Sequence, residues 1–387
     1  MWKNTFKFKY GEVEVFFGPG SLREYLASRI QRYRKILIVT SRSAARVSSA
    51  LNDVERILRE CSVDHVVYSN VKPNPYTDTA NEVAQLARES SVEAIMGIGG
   101  GSVIDVAKTA SIITKSDLRA EDLLVKRVQV SETLPLIIVN LTHGTGSEVN
   151  RFAVLTLSGT IEKCGFVAKY PTISFEDSLY VTTLSLKQTL YTTLDAFYHA
   201  YEAATSKRTN LLVLSLAETA VANIAEYLKK VLEEPGNLEA RTKLLYASML
   251  AGISIDIVGG AHLNHAIEHG FSGLKPELPH GAGLAMLGPM VVYYTHKVVP
   301  EISARLLRYL DPSIKPVSED AERAMKVVEE FQRNHGFNEK LSDYGVEESD
   351  IDRVVDFIVR SINERYHIMI PFPVTREIII KIVKSAL

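Results

Sequence analysis

The 387-residue sequence predicts an α/β half built on a parallel sheet, followed by an all-helical half, with a boundary near residue 178. Three observations carry that prediction. The chain is too long for one ordinary core, and roughly 100–200 residues per domain makes two domains the natural division. Through the first half, short apolar runs alternate with segments of helical spacing, as in a parallel sheet covered on both faces. After Thr182 the strand signals stop.

Taken in order, VEVFF at 13–17 reads as a strand ended by the turn Gly18-Pro19-Gly20, and 22–32 has helical spacing. KILIVT at 35–40 is a continuous apolar run, which suits a buried parallel strand. Residues 44–59 predict a helix, HVVYS at 65–69 a strand and 79–90 a helix. AIMGI at 94–98 is a strand, 103–114 a helix and PLIIV at 135–139 a strand. The stretch 149–167 breaks this rhythm and reads as a β-hairpin around Ser158-Gly159, pairing 151–157 with 162–167. Segments 184–205, 211–232 and 238–258 are helical in pattern.

Composition narrows the function. With 46% hydrophobic residues the chain can bury two cores, which excludes a disordered protein. Lys+Arg 44 against Asp+Glu 46 gives a net charge of −2. Nucleic acids and anionic membranes select a basic excess, so neither is an expected partner. Two cysteines, Cys61 and Cys164, are too few for a disulfide scaffold or a thiolate zinc module, and point to a reducing, cytoplasmic compartment. Residues 1–11 contain no long apolar run, and no stretch reaches about 18 uninterrupted apolar residues, so neither a leader nor a membrane span is expected.

Two glycine-rich turns stand out. Ile98-Gly99-Gly100-Gly101-Ser102-Val103-Ile104-Asp105 follows one predicted strand and opens a predicted helix. Glycines there let the backbone approach a ligand, and the helix start offers N–H groups to a phosphate; otherwise the segment is simply a tight turn. Thr142-His143-Gly144-Thr145-Gly146-Ser147-Glu148, after PLIIV, suits phosphate or ribose contact or a plain polar loop.

Five of the 10 histidines fall between residues 199 and 280. Asp195 and His199 are spaced i, i+4, which on a helix places them on one face. His262, His265 and His269 share another face, and His280 sits in Pro279-His280-Gly281. Neighbours Ala196, Phe197, Ala200 and Ala203 make the first helix read as buried. A buried Asp195 needs a partner, and one carboxylate with three imidazoles would find it in a divalent transition metal; otherwise the pair is a hydrogen bond along the helix and the histidines are core or interface residues. That donor set suits Fe, Zn, Co or Ni, and leaves a net charge of about +1 on the ion.

In this order, Gly99-Gly100-Gly101-Ser102-Val103-Ile104-Asp105-Val106-Ala107-Lys108, Gly144-Thr145-Gly146-Ser147-Glu148, Asp195-x-x-x-His199 and Pro279-His280-Gly281 resemble the iron-containing (group III) alcohol dehydrogenase family. The resemblance spans nearly the whole chain. It implies a dehydroquinate synthase-like fold: a Rossmann-like dinucleotide-binding domain over 1–178 and an all-α metal-binding, catalytic domain over 179–387. It implies Fe2+, with Zn2+ as the alternative, held by Asp195, His199, His265 and His280. His262 is an additional histidine and competes with His265 for the third position. His269 falls where the family has a histidine near the substrate, and is the expected proton relay. Gly100, Gly101, Ser102, Asp105, Thr142 and Thr145 fall in the cofactor turns, Asn74 in a loop close to the cofactor, and Lys163 near its ribose.

The implied activity is hydride transfer between NAD(P)(H) and a primary alcohol or aldehyde, by a homodimer that VEVFF can bridge. NAD-preferring members carry an acid just after the strand matching KILIVT; here Ser41 and Arg42 follow, which suits a 2′-phosphate and predicts NADP(H) over NAD(H). The alternatives are a phosphorylated-polyol dehydrogenase, a dehydroquinate-synthase-like lyase, or a non-catalytic nucleotide- and metal-binding protein. Only Lys275 is basic around residues 262–281, which disfavours a phosphorylated substrate.

Overall fold

The computed structural model describes residues 5–126, 128, 130 and 132–387. Its contacts divide the chain into two units, Met1–Leu184 with Pro235–Leu245, and Ser185–Glu234 with Tyr246–Leu387.

The first unit contains β1 (Phe6–Tyr10), β2 (Val13–Phe17), α1 (Ser21–Ile30), β3 (Lys35–Thr40), α2 (Ala44–Val47), α3 (Ala50–Glu60), β4 (Asp64–Tyr68), α4 (Thr77–Glu89), β5 (Ala94–Gly99), α5 (Gly101–Ile113), α6 (Ala120–Lys126), β6 (Leu136–Asn140), β7 (Phe152–Thr156), β8 (Lys163–Val167) and β9 (Ile173–Glu176). Seven strands form one sheet in the order β1-β2-β9-β6-β5-β3-β4. β2, β9, β6, β5, β3 and β4 run parallel, and only β1 is antiparallel. β3, β5 and β6 are apolar along their length because helices cover both faces, and two apolar cores fill the layers on either side. From β3 the chain steps outward to β4, then crosses back to β5 on the other side of β3. Open α/β sheets bind ligands at such a reversal, here the carboxyl ends of β3 and β5.

β7 and β8 form the separate hairpin, with Phe152 opposite Val167. The predicted helix 44–59 is instead two, interrupted at Ser48-Ser49, where Ser49 takes a positive φ of 65°. VEVFF is β2, and both its edges are paired, with β1 and β9. It therefore has no edge to offer a second subunit, and β1 is the edge strand.

The second unit holds α7 (Leu186–Thr205), α8 (Leu211–Glu233), most of α9 (Leu238–Val258), α10 (Leu263–Leu274), α11 (His280–Val298), α12 (Pro300–Leu307), α13 (Ala321–Asn334), α14 (Ile351–Ser361) and α15 (Arg376–Ser385). α8 is long and apolar enough to cross a membrane by length and composition. Yet Val213, Ala217, Ala220, Val221, Ile224, Leu228 and Val231 are its buried positions, recurring every three or four residues, so one stripe faces the core.

The contact units differ from a single division at residue 178 in that Pro235–Leu245 groups with the first unit. Arg241 explains why. Its fully buried guanidinium donates to Pro235 O (2.9 Å) and Leu184 O (3.3 Å) and lies 3.3 Å from His143 Nε2. Burial and the Arg241 charge push the His143 imidazole down to about 3, so it stays neutral.

Candidate functional site

α7 supplies the first donors. Ser185 caps its start by accepting from Gln188 N. From Thr189 to Thr205 the helix is buried on every face, so Asp195, His199 and Glu202 are enclosed. α10 contributes His265, Glu268 and His269, and α11 begins at His280. The start of α11 packs directly on the α7 backbone: a Cβ on Gly281 would stand 2.1 Å from Tyr191 O. Only glycine allows that approach, which carries His280 to the other histidines.

Three imidazoles converge on Asp195 Oδ1: His199 Nδ1 at 3.1 Å, His265 Nε2 at 3.5 Å and His280 Nε2 at 3.9 Å. His199 and His265 stack with centroids 4.3 Å apart, and His265 and His280 lie 5.3 Å apart. Among the described residues, neither Asp195 Oδ1 nor His265 Nε2 has a hydrogen-bond partner, although both are buried. Orphaned, buried polar atoms facing one point are costly without a ligand. Asp195, His199 and His265 are spaced to share one ion, and a carboxylate with imidazoles is the right donor set for a divalent transition metal.

The electrostatics agree. Burial alone would push the Asp195 carboxyl up, but His199, His265 and His280 bring it down to about 2. For His265, burial opposes protonation, yet Glu202 and Asp195 raise it to about 9. The centre therefore attracts positive charge.

His262 and His265 are distinguished by their ring nitrogens. His262 Nδ1 accepts from Leu263 N at 2.7 Å, and its Nε2 lies 3.1 Å from Thr205 Oγ1. Both nitrogens are thus engaged, Nδ1 in capping α10 and Nε2 against the end of α7. His269 is buried, with Nδ1 3.1 Å from the Tyr366 hydroxyl. Tyr366 ends a π-helical turn, Ile362–Tyr366, that follows α14.

The other expected site residues lie in the first unit. Gly100 and Gly101 sit at the start of α5, pressed on the second glycine-rich loop: added Cβ atoms would stand 2.6 Å from Thr142 Cγ2 and 2.5 Å from Thr145 Cγ2. The two turns therefore form one surface at the carboxyl ends of β5 and β6, with Ser102 beside them. Asn74 is buried at a positive φ of 48°, and its Oδ1 accepts from Lys163 Nζ at 2.9 Å. Ser41 and Arg42 follow β3, and Arg42 Nε donates to Asn70 Oδ1 at 3.1 Å. Asp105 departs from expectation. Its Oδ1 accepts from Ser147 Oγ (2.7 Å) and its Oδ2 from Val154 N (3.0 Å), so the carboxylate is spent inside the protein. Lys108 is buried beside it and donates to Ser147 Oγ, Asn150 O and Phe152 O.

Sequence reasoning missed Glu202, Glu268, Tyr366 and the role of Lys108. For the two glutamates a signal existed: each stands three residues after a histidine, His199 or His265, on the same helix.

A family model described as iron-containing alcohol dehydrogenase matches residues 13–178, and one for the C-terminal part of the Fe-containing alcohol dehydrogenase family matches 189–387. The chain is 36% identical to the long-chain primary alcohol dehydrogenase AdhA of Thermoanaerobacter ethanolicus, covering 88% of this chain and 87% of that protein. It is 28% identical to the NAD-dependent methanol dehydrogenase of Bacillus methanolicus, covering 87% and 88%. The crystal structure of an archaeal halo-thermophilic Red Sea brine pool alcohol dehydrogenase, ADH/D1, matches with a TM-score of 0.91 at 27% identity, covering 100% of both chains.

Proposed function

Since the chain belongs to the iron-containing alcohol dehydrogenase family, we propose that it is a metal-dependent oxidoreductase that moves a hydride between a nicotinamide dinucleotide and a primary alcohol or aldehyde. The observation that carries this reading is the convergence of three imidazoles on the buried, unpartnered Asp195 Oδ1. Asp195, His199, His265 and His280 would hold the cation, Fe2+ in our assignment with Zn2+ as the alternative. When bound, a divalent ion supplies Lewis acidity toward an oxygen atom.

The chain's own residues do the rest. A bound nicotinamide would supply the hydride chemistry, and His269 would take the hydroxyl proton on oxidation and return it on reduction. Tyr366, against Nδ1, holds that ring in place. Asp195, His199, His265 and His269 are buried, which limits competing water, whereas His280 is half-buried and marks the side of substrate entry. On the nucleotide side, the N–H groups of Gly101 and Ser102 at the start of α5 suit a phosphate, with Gly100, Thr142 and Thr145 shaping the turn. Asn74 and Lys163 suit the ribose, and Asp105 acts indirectly by tying down the loop that bears Thr145. A homodimer through the edge strand β1, in a reducing, cytoplasmic compartment, completes the proposal; Cys61 and Cys164 are not joined in a disulfide.

We assign NADP(H) as the preferred cofactor, because Ser41 and Arg42 stand at the end of β3, with no acid beside them, where a ribose is read. Purified protein with a panel of primary alcohols and aldehydes should change nicotinamide absorbance faster with the phosphorylated cofactor. Arg42→Ala should weaken NADP(H) about tenfold or more, the worth of one charge-assisted contact, and leave NAD(H) nearly unchanged. Equal losses for both cofactors would remove Arg42 from this role. No absorbance change with any substrate would overturn the function.

A further inference from the structure

Glu202 and Glu268 are fully buried carboxylates, each bonded to Nδ1 of a histidine whose Nε2 is turned to Asp195. Glu202 Oε2 accepts from His265 Nδ1, while its Oε1 accepts from Asn264 N at 2.6 Å. The α10 backbone thereby fixes the carboxylate's orientation. Glu268 Oε2 accepts from His280 Nδ1, and its Cγ packs where a Cβ on Gly283 would come within 2.8 Å. The opposite nitrogens, His265 Nε2 and His280 Nε2, are the ones turned to Asp195 Oδ1.

We propose that Glu202 and Glu268 are positioning residues. By accepting the Nδ1 protons of His265 and His280, they lock each ring's tautomer and rotation so that Nε2 is presented to the metal. The inference rests on the metal reading above and extends it to residues outside the ligand set. A carboxylate behind an imidazole also makes it a stronger donor. With both glutamates counted, a divalent ion and Asp195 sit in a surrounding whose formal sum is −1 rather than +1. In His199 it is Nδ1 that faces Asp195.

Residues Glu268, His269 and His280 are also close enough to share an ion themselves. Metal stoichiometry separates that arrangement from a positioning role. The test is titration of the metal-free full-length protein with Co2+, read by ligand-field absorption, for wild type and for Glu202→Ala, Glu202→Gln, Glu268→Ala and Glu268→Gln. Each Ala variant should bind one equivalent about 10- to 100-fold more weakly, with an altered spectrum and unchanged circular dichroism. Each Gln variant keeps an acceptor for Nδ1–H and should recover the wild-type spectrum and most of the affinity. Wild-type affinity in the Ala variants, or a second equivalent of Co2+ in the wild type that is lost in Glu268→Gln, would overturn the proposal. Should an Ala variant fail to fold, its Gln partner decides: no Co2+ binding by a folded Gln variant also overturns it. Failure of the wild type to bind Co2+ would instead sink the metal reading itself.

Discussion

Asp195→Asn is expected to abolish tight metal binding and to lower kcat/KM by at least about a thousandfold, or about 4 kcal/mol of transition-state stabilisation. Asparagine keeps the shape of the side chain, so the packing of α7 should survive. What it removes is the only negative charge among the four proposed ligands. Asp195 Oδ1 is the atom on which His199, His265 and His280 converge, and those imidazoles already hold its carboxyl at about 2. A neutral amide there neither balances a divalent cation nor attracts one. Metal analysis beside steady-state kinetics checks the prediction. Stoichiometric metal with activity within tenfold of wild type would refute it.

The second large effect falls in the other unit. Lys108→Met should cost about 3–5 kcal/mol, as breaking a buried charge pair does, and lower the melting temperature of the first unit on the order of 10 °C. The ammonium of Lys108 satisfies Ser147 Oγ at 2.9 Å, Asn150 O at 2.8 Å and Phe152 O at 2.6 Å. It is also a nearby cation that opposes the desolvation of Asp105, whose carboxyl burial pushes upward even so. Methionine fills the volume but leaves these acceptors unanswered and Asp105 with Lys163 in place of the two lysines that favour its charge. Because the same loop presses Thr142 and Thr145 against Gly100 and Gly101, the KM for the nicotinamide cofactor should rise more than kcat falls at saturating cofactor. Calorimetry and cofactor titration check both parts; an unchanged melting temperature would show the contacts to be dispensable.

The parts of the fold legible in the sequence were those whose burial is simple. KILIVT is covered on both faces, so its apolar run coincides with β3 at both ends. β1 (FKFKY) was missed because an edge strand alternates lysines with aromatics and lacks a continuous run. β9 (ISFE) was missed because it ends on Glu176, a charge that argues against a buried strand; Asn140 and Ser174 satisfy it there. The grouping of Pro235–Leu245 with the first unit depends on Arg241 meeting His143 and Leu184, distant in sequence and unmarked by any local pattern.

The candidate site divides in the same way. Spacing on one helix exposed the Asp195–His199 pair, and the crowding of histidines pointed to a metal; His265 and His280 were singled out by the family resemblance. Which of His262 and His265 faces Asp195 required the ring contacts, since His262 is spent on Leu263 and Thr205. Glu202 lies seven residues after Asp195 on the same buried helix, and its role shows only in the contact of its carboxylate with His265 Nδ1. Tyr366 reaches His269 across 97 residues of sequence, from a π-helical turn that periodicity does not reveal. Asp105 was legible as a motif residue, whereas the bonds by which its oxygens hold the loop through Ser147 and Val154 were not.

Metal removal and return in one sample tests the central claim most directly. Purified protein is stripped with a chelator, then assayed by nicotinamide absorbance with a primary alcohol and NADP before and after addition of Fe2+ or Zn2+. The account predicts no turnover in the stripped protein and recovery with one equivalent of metal per chain. Full turnover in demonstrably metal-free protein would contradict it.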